Sequence, residues 1–206
     1  MDPEPARIRE YAEQAVAYVK RALGVTLEYD SDTLPVLDHY LATVRDSLPE
    51  ARDLVIATSG AYFGEVVRRR LGGRWEAAPG DVENPRAPDE RVVLPTGLTF
   101  SPAGFVASAI AQGEVEDFDT ELDAPARMRP YVQQALARMG NVTVDDYYSL
   151  CGRLDTVEHV HEVLVAVAAQ MLGGTVDPDV GGEADAESAE PDVPQHVADE
   201  PSGGVN

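Results

Sequence analysis

The sequence predicts an α+β fold, in which a helix-rich body packs on a small antiparallel β-meander and a disordered acidic tail follows. Helical apolar periodicity dominates residues 5–70 and returns over residues 102–172. Between these two regions, short β-rich segments alternate with clusters of Pro, Gly and Asn. We therefore predict a single α+β domain over 1–172 and a tail over 173–206.

Two amphipathic helices are predicted at the N-terminus. Gly24 closes the first helix, and Ser31 or Asp32 caps the second, which has Pro35 in its first turn. Residues 25–29 between them alternate in polarity and favour a short strand. The predicted buried faces contain Ile8, Tyr11, Ala12, Ala15, Val19, Ala22 and Leu23 in the first helix, and Leu34, Leu37, Leu41, Val44 and Leu48 in the second.

The third predicted helix, from Pro49 to Arg70, carries the most informative feature of the chain. Gly60 and Gly64 lie in its interior, where each glycine costs about 1 kcal/mol relative to alanine. The two glycines are four residues apart and share one face, so we expect a neighbouring element to approach the helix backbone closely there. Residues 71–73 supply a left-handed helix stop. We expect this helix to lie at the centre of the fold.

The second half of the domain is predicted to contain the meander and four helical segments. Short apolar or alternating segments at 74–77, 91–94 and 97–100 form the meander, and residues 114–123 form an acidic loop. The helical segments are predicted from Pro102 to Gly113, from Pro125 to Gly140, from Thr143 to Leu150, and from a capping box at Asp155–Glu158 to Gly173.

The chain is strongly acidic, with a formal charge of -21 and a pI near 4.3. The segment 173–206 contains nine Asp or Glu and no Lys or Arg, and it cannot bury enough apolar surface to offset chain entropy. An acidic surface repels phosphates, so we expect no direct binding to nucleic acid or to a membrane surface. A basic protein partner or a divalent cation fits the field, although the acidity could equally serve only solubility or a saline cytoplasm.

The residue usage also predicts the compartment. Cys151 is the only cysteine, which excludes an intramolecular disulfide and a multi-cysteine zinc site. The N-terminal residues lack the basic and apolar regions of a signal peptide, and the longest apolar run, 163–169, is too short to span a membrane. All but one of the 16 basic residues are arginine, which is typical of a GC-rich bacterial or archaeal genome. We expect a cytoplasmic protein.

Glu65 is the main candidate functional residue, because it lies on the crowded face of the third helix. Burial there would raise the pKa of its carboxyl group, and a buried acid can act as a general base or as a ligand. The alternative is an ion pair, since Arg68 and Arg69 follow at helical spacing. The candidate binding residues are Tyr62, Glu65, Arg68 and Trp75.

Other reactive side chains lack the partners that catalysis or metal binding needs. Glu158 and His161 share a helix face, but a di-iron site needs a second Glu-x-x-His helix, which is missing, so we expect surface histidines and no metal. Cys151 and Ser59 are in no recognised nucleophile motif, and Asp38 beside His39 is only half of an acid-base pair.

Binding motifs for anions and cofactors are equally sparse. The cluster 68–70 favours the dipole at a helix C-terminus, although an anion-binding role stays open. Gly72 and Gly73 are not a phosphate loop, because neither the P-loop lysine nor the dinucleotide spacing is present. We therefore predict no cofactor.

The order of these elements resembles a loose group of bacterial domains of unknown function. The resemblance covers about residues 5–115 and rests on a Gly-x-x-x-Gly-Glu helix followed by Gly-Gly-x-Trp. It implies an α+β fold and no catalytic residue. The segments that carry it are Leu37-Asp38, Gly60-Ala-Tyr-Phe-Gly-Glu65, Gly72-Gly-Arg-Trp75 and Phe100-Ser-Pro102.

The missing catalytic set and the acidic charge together favour a non-enzymatic protein-interaction module, adaptor or immunity-like, for a basic partner. The alternative is an enzyme with a cleft beside Gly60 and Gly64 that uses Glu65 and Tyr62. A pocket that contains Glu65 away from any arginine would favour the enzyme.

Overall fold

The computed structural model describes residues 5–77, 90–140 and 142–173. Within these ranges seven α-helices pack on a three-stranded antiparallel sheet, which confirms the predicted α+β class. The chain separates into two units, Met1–Gly174 and Thr175–Asn206. All described residues belong to the first unit, so the predicted acidic tail lies, but for Gly173, outside them. The elements are α1 (Ala6–Leu23), a 3-10 turn (Ser31–Thr33), α2 (Leu34–Thr43), α3 (Pro49–Leu71), β1 (Arg74–Ala77), β2 (Glu90–Val93), β3 (Thr99–Phe100), α4 (Pro102–Ala111), α5 (Arg129–Arg138), α6 (Val144–Tyr148) and α7 (Leu150–Gly173).

The predicted strand at 25–29 is wrong, because these residues form an extended connection outside the sheet. Tyr29 has a φ of 59°, and its backbone N–H donates to the Tyr62 hydroxyl at 2.9 Å rather than to a neighbouring strand. Asp30 caps the following 3-10 turn by accepting from the backbone N–H of Thr33, so neither Ser31 nor Asp32 is the cap.

Helix α3 lies at the centre of the fold, as predicted, and most of its residues from Val55 to Arg68 are buried. Helix α1 packs on it through a buried stripe at helical spacing, and α4 crosses it at Gly60. A Cβ atom at Gly60 would lie 2.9 Å from the Cα of Ala103 in α4, so only glycine permits this crossing. Gly72, with a φ of 75°, ends the helix in the left-handed conformation.

The sheet follows α3 directly and has the order β1-β2-β3, with all pairs antiparallel. Trp75 on β1 pairs with Val92, and Val92 pairs with Phe100 on β3. The ring of Phe100 stacks on Phe105 of α4 with the ring centroids 5.1 Å apart, and both pack against Phe63 of α3. An aromatic cluster therefore joins the sheet to the helical body.

Helix α7 begins at Leu150, and the predicted start at the Asp155–Glu158 capping box is wrong. The carboxylate of Asp38 accepts hydrogen bonds from the backbone N–H groups of Leu150 at 2.8 Å and Cys151 at 3.2 Å. Two N–H groups of the first turn are satisfied in this way by a residue of α2. The capping-box spacing at Asp155 is only the ordinary i,i+3 spacing of a helix interior.

Candidate functional sites

Glu65 lies in the centre of the fold with no exposed surface, and three side chains donate hydrogen bonds to its carboxylate. Arg68 binds it with two nitrogens, Nε to Oε1 at 2.6 Å and Nη2 to Oε2 at 3.0 Å. Arg69 Nε donates to Oε2 at 3.0 Å, and Trp75 Nε1 donates to Oε1 at 2.7 Å. We call these four residues the Glu65 network.

The Glu65 network keeps a buried carboxylate ionised. Burial raises the pKa of Glu65, but hydrogen bonds and positive charge from Arg68, together with Trp75 and Arg69, outweigh it and bring the pKa below its usual value. Both carboxylate oxygens already accept two hydrogen bonds. The arrangement therefore attaches β1 to α3 through Trp75 and leaves little capacity for a ligand.

The space beside Gly64 is filled rather than open. A Cβ atom at Gly64 would lie 2.2 Å from Cη2 of Trp75 and 2.9 Å from Cγ of Pro102. A small pocket of about 10 Å³ beside Gly60 is lined by Trp75 but not by Glu65. A pocket with Glu65 away from arginine is thus absent from the described part of the chain, which disfavours the enzymatic alternative.

Tyr62 lies one helical turn before Glu65 and is also fully buried. Its hydroxyl accepts from the Tyr29 N–H and lies 3.0 Å from Oγ1 of Thr33, and burial raises the pKa of Tyr62. The guanidinium of Arg69 lies 4.1 Å from the centroid of the Tyr29 ring. The structure therefore brings all four predicted binding residues together, with Tyr62 joined to the Glu65 network through Tyr29 and Arg69.

The remaining candidates from the sequence lie apart from one another. His159 and His161 are half-buried, rather than exposed as expected, and Nδ1 of His161 lies 3.0 Å from Oγ1 of Thr96. Burial, together with the charge of nearby Asp38, raises the pKa of the Cys151 thiol to about 12, so it is not a thiolate at neutral pH. Among the described residues, no group of three or more His, Cys, Asp or Glu could hold a metal ion.

A second candidate site, which the sequence did not indicate, is an open cavity of about 760 Å³. It lies between α5, α6, α7 and the loop 114–123, which we call the acidic segment. Its walls hold three arginines and four acids of the acidic segment, namely Arg91, Arg129, Arg153, Glu114, Asp119, Glu121 and Asp123. We call it the Arg153 cavity.

Two of the three arginines in the Arg153 cavity are neutralised by the acidic segment. Arg91 forms an ion pair with Asp119 at 2.6 Å, and Arg129 forms one with Asp123 at 3.2 Å. Arg153 is only 6% exposed and has no ion pair with any described residue. Its Nη2 lies 3.5 Å from Oγ of Ser108, and its Nε has no hydrogen-bond partner in the described ranges.

Aromatic rings surround the guanidinium of Arg153. Its Cζ lies 4.7 Å from the ring centroid of Phe105, 4.5 Å from that of Tyr147 and 5.4 Å from that of Tyr148. Cation–π contacts of this kind contribute about 0.5–2 kcal/mol each, less than the several kcal/mol that burying a charge costs. The site therefore holds a desolvated positive charge that the protein compensates only in part.

The acidic segment is held firmly against the body. Thr99 of β3 and Asp123 exchange two backbone hydrogen bonds, at 2.7 Å and 2.9 Å. The Asp119 carbonyl oxygen would lie 1.8 Å from a Cβ atom at Gly104, so this loop rests directly on the backbone of α4. On the opposite side, the Asp146 carbonyl oxygen rests on Gly152 in the same way, at 1.9 Å. Two glycines that the sequence did not single out thus shape the Arg153 cavity.

Comparisons with protein-family models, with curated proteins and with solved structures found no match to this chain. The resemblance to bacterial domains of unknown function therefore stays a prediction. None of the helices in the described ranges is both long enough and apolar enough to cross a membrane.

Proposed function

We propose that this protein is a cytoplasmic, non-enzymatic interaction module, adaptor or immunity-like, that binds a basic partner protein through the acidic segment. One observation carries the proposal: the acidic segment is both exposed and fixed to the body. All six of its acids have exposed side chains, namely Glu114, Glu116, Asp117, Asp119, Glu121 and Asp123. The backbone pairing with Thr99 holds them in place before a partner arrives.

Charge and apolar surface near the acidic segment both suit a protein partner. Asp119 and Asp123 pair with arginines, while Glu114 and Glu121 form no ion pair with a described residue. Across the cavity, the apolar side chains of Leu136 and Tyr147 are 40% and 45% exposed. A segment with basic and apolar residues would complement both sides, with charge guiding association and apolar burial supplying affinity.

The proposal is tested by selecting binders for the full chain from a displayed library of random peptides. We expect selected peptides to be enriched in Lys and Arg, and duplex DNA not to bind. Association of a selected peptide should slow by about tenfold or more between low and high salt, because exposed charges are screened over about 10 Å at 0.1 M. Peptides without basic enrichment, or association that does not depend on salt, would contradict the proposal.

A matched pair of variants locates the interface. Four neutralised acids in the acidic segment should slow association, whereas four neutralised acids on α1 and α3 should change it far less. All eight positions are exposed, and each set replaces three Glu by Gln and one Asp by Asn. The first set is Glu114, Glu116, Asp117 and Glu121, and the second is Glu10, Glu13, Glu50 and Asp53. Equal effects of the two sets would place the interface elsewhere.

A further inference from the structure

We infer that the Arg153 cavity is a small-molecule site for an amino-carboxylate, with Arg153 binding the carboxylate group. This inference goes beyond the proposed function, because it rests on a buried cation rather than on the exposed acids of the acidic segment. The side chain of Arg153 lines the cavity and is only 6% exposed. A guanidinium has five N–H donors, and the described residues offer Arg153 a single hydrogen bond, at 3.5 Å.

The aromatic rings determine how Arg153 can bind a ligand. Phe105, Tyr147 and Tyr148 lie within 5.4 Å of its Cζ and hold the guanidinium in one orientation. Contacts over the faces of a guanidinium leave its N–H groups at the edge free to donate. A planar carboxylate matches such an edge and forms short, charge-assisted hydrogen bonds. The entropy cost of ordering the arginine has thus already been met in the free protein.

The remaining charges in the cavity select against a multiply charged anion. Arg91 and Arg129 are neutralised by Asp119 and Asp123, whereas Glu114 and Glu121 add negative charge that no described residue pairs. Phosphate dianions would be repelled by this charge. A ligand with a carboxylate at one end and an ammonium at the other would complement both Arg153 and these glutamates.

The dimensions of the cavity agree with a ligand of this kind. Its volume of about 760 Å³ falls in the range of about 300–1,000 Å³ that is common for small-molecule sites. Apolar side chains, such as Val132 of α5 and Leu122 of the acidic segment, form part of the wall and can pack on the carbon chain of a ligand. The site therefore suits a flexible amino-carboxylate about as long as a lysine side chain or longer.

The test uses isothermal titration of the full chain with four probes that differ in one charge each. We expect 6-aminohexanoate to bind most tightly, hexanoate to bind more weakly, and hexylamine and inorganic phosphate to bind least. Arg153→Met should weaken hexanoate and 6-aminohexanoate by about tenfold or more, the usual effect of losing a charge-assisted hydrogen bond. Arg129→Met is the matched control, because Arg129 lines the same cavity but already pairs with Asp123, and it should change these affinities by less than about threefold.

A second measurement avoids any effect of Arg153→Met on folding. In the unaltered protein, the Nε–Hε NMR signal of Arg153 should shift when hexanoate or 6-aminohexanoate is added. Glu114→Gln combined with Glu121→Gln should weaken 6-aminohexanoate but not hexanoate. Absence of hexanoate binding, an unmoved Arg153 signal at saturation, or phosphate binding as tightly as 6-aminohexanoate would each overturn the inference. Since hexanoate carries no positive charge, its result is independent of whether the basic partner of the proposed function exists.

Discussion

Arg68 and Arg153 are two arginines with the same exposure, 6% each, in very different electrostatic surroundings. Arg68 binds both oxygens of the Glu65 carboxylate, at 2.6 Å and 3.0 Å. Arg153 lies among aromatic rings at the wall of an open cavity and has no carboxylate partner among the described residues. Burial alone therefore does not distinguish a structural arginine from one that is available to a ligand.

The comparison separates two uses of a buried charge. In the Glu65 network, donors and acceptors are matched inside the protein, so removing one member leaves a buried group without its partner. In the Arg153 cavity, the matching anion has to come from outside, so removing the arginine takes away a charge whose desolvation the protein tolerates at a cost. Stability measurements should therefore respond to Glu65, and ligand binding should respond to Arg153.

The largest expected effect is that of Glu65→Gln. Removing one member of a buried ion pair costs about 3–5 kcal/mol, so we expect a loss of unfolding free energy of this size. Arg153→Met should change the free energy by only about 1 kcal/mol in either direction, because lost cation–π contacts are offset by the removal of a poorly compensated charge. Urea denaturation of both variants measures the difference. A loss for Arg153→Met as large as that for Glu65→Gln would make Arg153 a structural residue and remove the contrast.

A second prediction concerns the ring of Trp75, which completes the Glu65 network. Gly64→Ala places a Cβ atom 2.2 Å from Cη2 of this ring, so Trp75 has to move and its bond to Glu65 is lost. The overpacking should cost about 1–3 kcal/mol and exceed the roughly 1 kcal/mol that alanine contributes to helix propensity.

Gly113→Ala is the matched control for Gly64→Ala, because a Cβ atom there meets nothing within 4 Å. Its unfolding free energy should stay within about 0.5 kcal/mol of the unaltered protein. Thermal denaturation with Trp75 fluorescence follows both the stability and the ring environment. A neutral Gly64→Ala with unchanged fluorescence would show that the ring can leave the helix without loss.

The close contact at Gly64 could be predicted from the sequence, because glycine in a helix interior carries a visible propensity cost. The pairing of Glu65 with Arg68 and Arg69 could be predicted too, since their spacing is a local property of the helix. The contact with Trp75 could not be derived in this way. It depends on how β1 folds back along α3, and helical spacing contains no information about that step.

The start of α7 was missed for a similar reason. Its first N–H groups bind Asp38, which is 112 residues earlier than Leu150, while the best local capping pattern is at Asp155. The buried position of Arg153 did leave a signal. Arg153 precedes Val157 and Val160 by four and seven residues, so helical periodicity places it on the apolar stripe of α7. A charged residue on a buried stripe is informative, and its aromatic neighbours come only with the tertiary structure.

A third prediction is that acid unfolding separates the two regions. The pKa of Glu65 is lowered in the folded protein relative to about 4.3 in unfolded chains. A lowered pKa contributes stability above the unfolded value and loses it as the pH falls through the folded value. Stability should therefore drop below about pH 4.3, less steeply in Glu65→Gln, and as steeply in Arg153→Met as in the unaltered protein. Urea midpoints from pH 6 to pH 3 provide the test, and equal slopes in all three proteins would contradict it.

The smallest expected effect is at the surface, where Arg70 of α3 pairs with Glu158 of α7. The Arg70 side chain is 50% exposed and that of Glu158 is 22% exposed, so water and salt screen the pair. Glu158→Gln should cost about 0.2–1 kcal/mol, and high salt should abolish most of the difference. Glu162→Gln, an exposed acid one turn later without an ion pair in the described ranges, is the control and should change less. Urea midpoints at low and high salt measure both variants. A salt-independent loss comparable to that of Glu65→Gln would mean that pairing, rather than burial together with pairing, determines what an arginine contributes in this protein.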